Sequence, residues 1–138
     1  QQPIIMKFKP LFSITFLVDL LTAVTLSLII FNPDMMNEMV YSQFPGLNDV
    51  GKDALYLIHV VFACIIVSML VAVAVAYRIK VKESAQIAAL ILFIIHLGWV
   101  FPDILNFVSG NAHPPILIML LNIVPVLALG YAWKKADI

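Results

Sequence analysis

Four ionisable side chains lie inside long apolar stretches of this 138-residue sequence: Asp19, His59, His96 and Asp103. On insertion scales, one charged group at the centre of a membrane-spanning helix costs about 2.5–3.5 kcal/mol. An aspartate beside a histidine offsets this cost, because each stabilises the charged form of the other or the two share a hydrogen bond when neutral. These residues are therefore the first candidates for binding a proton, a cation or the polar end of a ligand.

Polar residues of the third apolar stretch recur at i, i+3, i+7 and i+10, starting from His96. At about 100° per residue they form one stripe along a helix. Depth along the helices predicts two polar layers. Asp19, His96 and Asn122 lie near the middle of the membrane, and His59 and Asp103 lie nearer its outer face. The candidate ligand-binding residues are therefore Asp19, Tyr56, His59, His96, Trp99, Asp103, Asn106 and Asn122.

Three kinds of function use such residues. A polar cavity between helices could carry protons or a cation, or bind a lipophilic small molecule beside aromatic side chains. An Asp–His pair could instead serve a small membrane enzyme as general acid and base on a lipid-soluble substrate. A structural or assembly subunit of a larger complex would use the same residues only to join helices, at about 0.6 kcal/mol per interaction. The non-enzymatic carrier or binding protein is the leading hypothesis, and the catalytic residues of an enzyme stay unspecified.

No cofactor is specified by the sequence. A haem held by His59 and His96 is disfavoured, because the predicted depths of these two ligands differ by about 9 Å. A metal site would draw on His59, Asp103 and His113, but no metal-binding spacing is present, and we predict no metal. The single cysteine, Cys64, excludes an intramolecular disulfide.

The composition is that of a membrane protein. Hydrophobic residues make up 63% of the sequence and charged residues 12%, against about 45–50% and about 25% in soluble domains. So few charges cannot cover the surface of a soluble domain, which disfavours soluble enzymes and nucleic-acid-binding proteins. We therefore predict an integral protein of the cell or inner membrane whose partners are the lipid bilayer, a lipophilic small molecule, and other copies or a larger membrane complex, but no nucleic acid.

Four apolar stretches are long enough to cross a bilayer, which takes about 20 residues in a helix. Their hydrophobicity is continuous, whereas the strands of a membrane barrel alternate between apolar and polar positions. The predicted fold is all-α, an up-down four-helix membrane bundle that forms a single domain over residues 1–138. The predicted spans are about 11–31, 53–77, 85–108 and 114–133.

Basic residues fall almost entirely on one side of this arrangement. The positive-inside rule assigns that side, and with it both termini, to the cytoplasm. Only Lys52 lies on the opposite side, together with several acidic residues. The seven basic residues assigned to the cytoplasmic side are Lys7, Lys9, Arg78, Lys80, Lys82, Lys134 and Lys135.

The outer connection over residues 32–52 is long enough for a short helix of its own. Asn32 is a favourable N-cap, and Pro33 suits the first turn of a helix. The methionines at 35, 36 and 39 would give a helix over residues 34–43 one apolar side, as in helices that lie in the membrane interface. The favoured interpretation is a lid packed over the bundle, without a ligand.

We expect Glu38 and Lys134 to lie on opposite sides of the membrane. In a Cys64→Ser background, Glu38→Cys should react with a membrane-impermeant maleimide on intact cells, because the positive-inside rule assigns it to the outer side. Lys134→Cys should react only after the membrane is permeabilised. Labelling of both variants on intact cells would contradict the predicted topology.

Overall fold

Helices make up 86% of the residues that the structure describes. A computed structural model describes residues 6–110 and 116–138, and this part of the chain contains no strand. The all-α prediction is confirmed. The helices are α1 (Phe8–Phe31), α2 (Pro33–Met39), α3 (Asp49–Ala76), α4 (Lys82–Ser109) and α5 (Ile116–Lys135).

Four of these helices are long and apolar enough to cross a membrane: α1, α3, α4 and α5. Only 17% to 33% of the residues in their most apolar segments are buried within the protein. Large side chains such as Leu17, Leu57 and Leu117 are more than half exposed. Water would disfavour so much exposed apolar surface, whereas lipid accommodates it. The four helices thus indicate an integral membrane protein.

The observed helix ends lie within four residues of the predicted ones wherever both are described. The largest difference is at α3, which begins at Asp49 rather than near Asp53. Helix α3 starts earlier because the Asn48 side-chain oxygen accepts the Gly51 N–H at 2.9 Å, as an N-cap does. The predicted start of the fourth span at Pro114 lies outside the described residues.

The chain divides into two compact units. The first comprises the beginning of α1, the end of α3, and α4 and α5, and the second comprises residues 19–70. That the two units form a single domain stays a prediction. Half of the buried core of the first unit is alanine, which lets helices approach closely. This core consists of Phe8, Leu11, Phe12, Val73, Ala76, Ala85, Ala89, Leu92, Ala128, Leu129, Ala132 and Ala136.

Helices α4 and α5 of the first unit pack closely and antiparallel. On α4, Ala85 and Ala89 face the core that contains Ala132 of α5. A Cβ added to Gly130 would come within 3.2 Å of the Phe93 ring, so the missing side chain makes room for that ring. We call this contact the α4–α5 seam. In the core of the first unit it comprises Ala85, Ala89 and Leu92 of α4 and Ala128, Leu129 and Ala132 of α5. The other buried residues of the two helices are His96, Val100, Met119, Asn122 and Pro125.

The two ends of the described chain are hydrogen-bonded to each other in the first unit. The Phe8 N–H donates to the Asp137 carbonyl at 3.0 Å, and the Asp137 N–H donates to the Met6 carbonyl at 3.2 Å. The Asp137 carboxylate pairs with Lys82 Nζ at 3.1 Å. These contacts bring together the beginnings of α1 and α4 and the end of α5, as an up-down order of helices requires. We call this region the basic end of the first unit.

The predicted short helix after Asn32 is present in the second unit as α2. The Asn32 side-chain oxygen accepts the N–H groups of Asp34 and Met35 at 3.0 and 3.2 Å, and Pro33 takes the first position. Helix α2 ends at Met39 and a short 3₁₀ turn over Tyr41–Gln43 follows. Met36 and Val40 are buried against Ile29 of α1, so this segment packs against the end of α1. Its position at the outer face of the membrane stays a prediction.

Lys82 holds the pKa of the Asp137 carboxyl below its ordinary value of 3.8, and the Ile138 N–H contributes further to this lowering. A lowered pKa in the folded state adds stability above pH 3.8, and this contribution is lost as the pH falls below that value. We expect Asp137→Asn to lower the melting temperature slightly at pH 7 and to lose this difference from the wild type as the pH is lowered below 3.8. Asp53→Asn, at an exposed acid without this pairing, is the control.

A difference between wild type and Asp137→Asn that stayed constant down to pH 3 would show that the ion pair is not its cause. Circular dichroism in detergent at each pH measures both melting temperatures.

Candidate functional site

Helix α4 presents the polar stripe that the sequence predicts. His96 is 2% exposed, whereas Trp99, Asp103 and Asn106 are each half-buried. Asp103 lies seven residues after His96, which is about two turns or 10 Å along the same helix face. Pro102 has no N–H to donate to the Gly98 carbonyl, yet α4 continues through it to Ser109. The stripe therefore runs from a fully buried histidine to a half-buried acid.

The His96 ring is fixed by its own helix. Its Nδ1 lies 2.8 Å from the Leu92 carbonyl oxygen. Because a carbonyl can only accept, Nδ1 must donate a hydrogen, which assigns the neutral ring to the Nδ1–H tautomer. The second ring nitrogen, Nε2, is then the hydrogen-bond acceptor of the neutral ring.

Asn122 of α5 is 9% exposed and, like His96 of α4, is one of the buried residues of these two packed helices. The contact of Phe93 with Gly130 sets the register of the two antiparallel helices. In this register Asn122 lies roughly 8 Å beyond His96 toward the α4–α5 connection, at 1.5 Å per residue. Along the helix axes, Asn122 therefore lies between the positions of His96 and Asp103.

Two buried polar residues lie on α1. Thr15, in the first unit, is fully buried, and its hydroxyl donates to the Leu11 carbonyl at 3.1 Å. Asp19, one turn further along, belongs to the second unit and is 2% exposed. The burial of an acid at this position agrees with a polar site, but the grouping of Asp19 with His96 and Asn122 stays a prediction.

The remaining candidates lie on α3 in the second unit. His59 is half-buried, and its Nδ1 lies 2.8 Å from the Leu55 carbonyl oxygen, the same bond that His96 makes. Tyr56 is 42% exposed and lines a crevice of about 210 Å³ with Pro33 and Met36. The predicted layer of His59 with Asp103 stays a prediction, and His113 lies outside the described residues.

The buried polar atoms of the described residues are all satisfied. No buried side-chain nitrogen or oxygen in this part of the chain lacks a hydrogen-bond partner. Three or more His, Cys, Asp or Glu side chains come together nowhere among the described residues in a way that could hold a metal ion. The buried groups therefore make a complete hydrogen-bonded set without a bound ligand.

An open crevice at the basic end of the first unit is a site that the sequence reasoning missed. It has a volume of about 530 Å³, within the roughly 300–1,000 Å³ of small-molecule pockets. The aromatic residues at every fourth position of α1, Phe8, Phe12 and Phe16, were a usable signal, because this spacing gives a helix one aromatic side. The crevice is lined by Phe12, Ser13, Phe16, Leu17, Val73, Ala74, Tyr77 and Arg78.

Comparison with known proteins gave no match: no protein-family model fits the sequence, and neither the curated proteins nor the solved structures contain a similar chain. The function is therefore argued from the residues alone.

We expect His96→Ala to lower the free energy of unfolding by about 1–3 kcal/mol, because it removes a buried side chain from α4. His59→Ala is the matched control, since His59 makes the same backbone hydrogen bond but is only half-buried. Reversible unfolding in mixed micelles measures both variants. Equal losses of unfolding free energy in the two variants would show that the deeper burial of His96 adds nothing to stability.

Proposed function

We propose that this protein is a non-enzymatic membrane carrier that binds and passes protons through His96. The observation that supports this most strongly is a histidine 2% exposed in the middle of an apolar helix. Ionisable groups in such positions mark proton and ion pathways more often than other sites. Histidine is also the side chain whose ordinary pKa lies nearest to physiological pH.

A proton fits this site better than a larger ligand does. The polar atoms buried in the described residues already have partners, so the head of a lipophilic molecule would have to displace existing hydrogen bonds. A proton needs no added volume and moves along groups that are already hydrogen-bonded. The absence of a three-ligand cluster in the described residues likewise favours a proton over a metal cation.

The α4 stripe supplies the path within the first unit. Asp103 is half-buried and lies nearer the α4–α5 connection, where a proton from the medium would first bind. His96 lies about 10 Å further in, which is too far for a direct hydrogen bond. The Asn122 amide lies at a level between them, and we assign it the role of holding the water that links the two.

The hydrogen bond that His96 already makes favours proton uptake by its ring. Its Nδ1–H is held by the Leu92 carbonyl, so Nε2 takes up the proton without any change of tautomer. The imidazolium keeps the same Nδ1–H bond, and Nε2 both accepts and releases the proton. Passage therefore requires Nε2 to face the Asp103 side when it is protonated and a water on the cytoplasmic side when it gives the proton up, which restores the neutral Nδ1–H ring. By the positive-inside rule, protons that enter near Asp103 come from outside and leave toward the basic, cytoplasmic end.

The test is proton uptake by proteoliposomes that contain a pH-sensitive dye and are driven by a potassium diffusion potential. Wild-type protein should acidify the vesicles faster than protein-free vesicles. His96→Gln, which keeps a hydrogen-bonding side chain but cannot be protonated near neutral pH, should reduce the rate to that of protein-free vesicles. Ser68→Ala, at an exposed hydroxyl of α3 outside the proposed path, should keep the wild-type rate.

Two results would overturn the proposal. One is wild-type protein that moves no protons, and the other is His96→Gln protein that moves them at the wild-type rate. Either result would indicate that His96 and Asn122 have only a structural role. Circular dichroism of each reconstituted variant distinguishes loss of the path from loss of the fold.

A further inference from the structure

We propose that the crevice at the basic end of the first unit binds an anionic phospholipid. The site lies outside the α4 stripe and does not depend on proton transport. Its walls come from the beginning of α1 and the end of α3, and its volume is about 530 Å³.

The walls of the crevice are apolar. Phe12 and Val73 form its buried floor, with 1% and 0% exposure, whereas Leu17 is 63% exposed at the rim. Phe16 adds a second aromatic ring. A surface of this kind holds a hydrocarbon chain, because its apolar side chains offer close contact to an acyl group.

The mouth of the crevice is cationic. Arg78 lines it directly, and Lys9 Nζ lies 5.7 Å from the ring centroid of Tyr77, another lining residue. The ion pairs found among the described residues join Lys52 with Asp49 and Lys82 with Asp137, so within this part of the chain no carboxylate neutralises Lys9 or Arg78. The Arg78 guanidinium matches a phosphate group, since it can donate two parallel hydrogen bonds to it, and Lys9 adds a second positive charge near Tyr77.

The length and lining of the crevice favour a membrane lipid as its occupant. From Phe12 to Leu17 the crevice follows α1 for about 8 Å, at 1.5 Å per residue. This length accommodates the upper part of an acyl chain, whose remainder would continue along the exposed apolar surface of α1. The polar groups, Ser13 and Arg78, lie among the same lining residues. Basic pockets between helices on the cytoplasmic side are a known way to bind anionic head groups.

The test measures lipid retention by the purified full-length protein with native mass spectrometry, after titration with phosphatidylglycerol or phosphatidylcholine. Wild-type protein should retain phosphatidylglycerol more strongly than phosphatidylcholine. Arg78→Gln should weaken phosphatidylglycerol binding about fivefold, as expected for the loss of one basic group near a membrane surface. Lys80→Gln, at an exposed basic residue outside the crevice lining, should leave binding nearly unchanged.

A second pair of variants tests the apolar wall. Ala74→Leu places a larger side chain in the crevice lining and should lower phosphatidylglycerol binding with every charge still present. Ala72→Leu makes the same change at an exposed position outside the lining and should have no effect. Circular dichroism confirms that both variants are folded.

Four outcomes would overturn the proposal. Equal retention of the two lipids would show that charge plays no part. Equal losses in Arg78→Gln and Lys80→Gln would show diffuse attraction rather than a site. Binding that survives Ala74→Leu would exclude the crevice. Glycerol 3-phosphate that competes as well as the lipid would assign the site to a free phosphate compound.

Discussion

Polar side chains in an apolar environment must find their hydrogen-bond partners within the protein, and the described structure depends on this constraint. Thr15, His59, Ser68 and His96 each bond to the carbonyl oxygen four residues earlier in their own helix. Such bonds satisfy a polar group without any neighbouring helix. A helix can therefore carry polar residues through lipid.

Helices α4 and α5 show how close packing and chemistry share one pair of helices. Small residues of the α4–α5 seam, such as Ala85, Ala89 and Ala132, let the backbones approach. His96 and Asn122 are buried further along the same two helices. A change that widens the seam would therefore alter the surroundings of His96 without touching it. Stability and the proposed proton site are linked through the distance between two helices.

The sequence predicts the helices well because their signals are local. Continuous apolar runs gave four spans, and Asn32 with Pro33 gave the start of α2, since capping depends on neighbours within a few residues. The spacing of His96 and Asp103 likewise predicts that they share one helix face. The lipid crevice was not predicted, because it depends on how Phe16 of α1 lies relative to Val73 of α3. Packing of this kind is set by side-chain fit between helices far apart in sequence, which a periodic pattern does not encode.

The hydrogen bonds between Phe8 and Asp137 have a consequence for biosynthesis. Helix α1 leaves the ribosome long before residue 137 is made, so these contacts of α1 must wait for the segment that follows α5. Until then Phe8 and Phe12, both buried in the finished protein, lack part of their core. Synthesis through residue 137 therefore governs when this end of the first unit closes, and a nascent chain stalled after α4 would expose an apolar surface that insertion and quality-control factors can recognise.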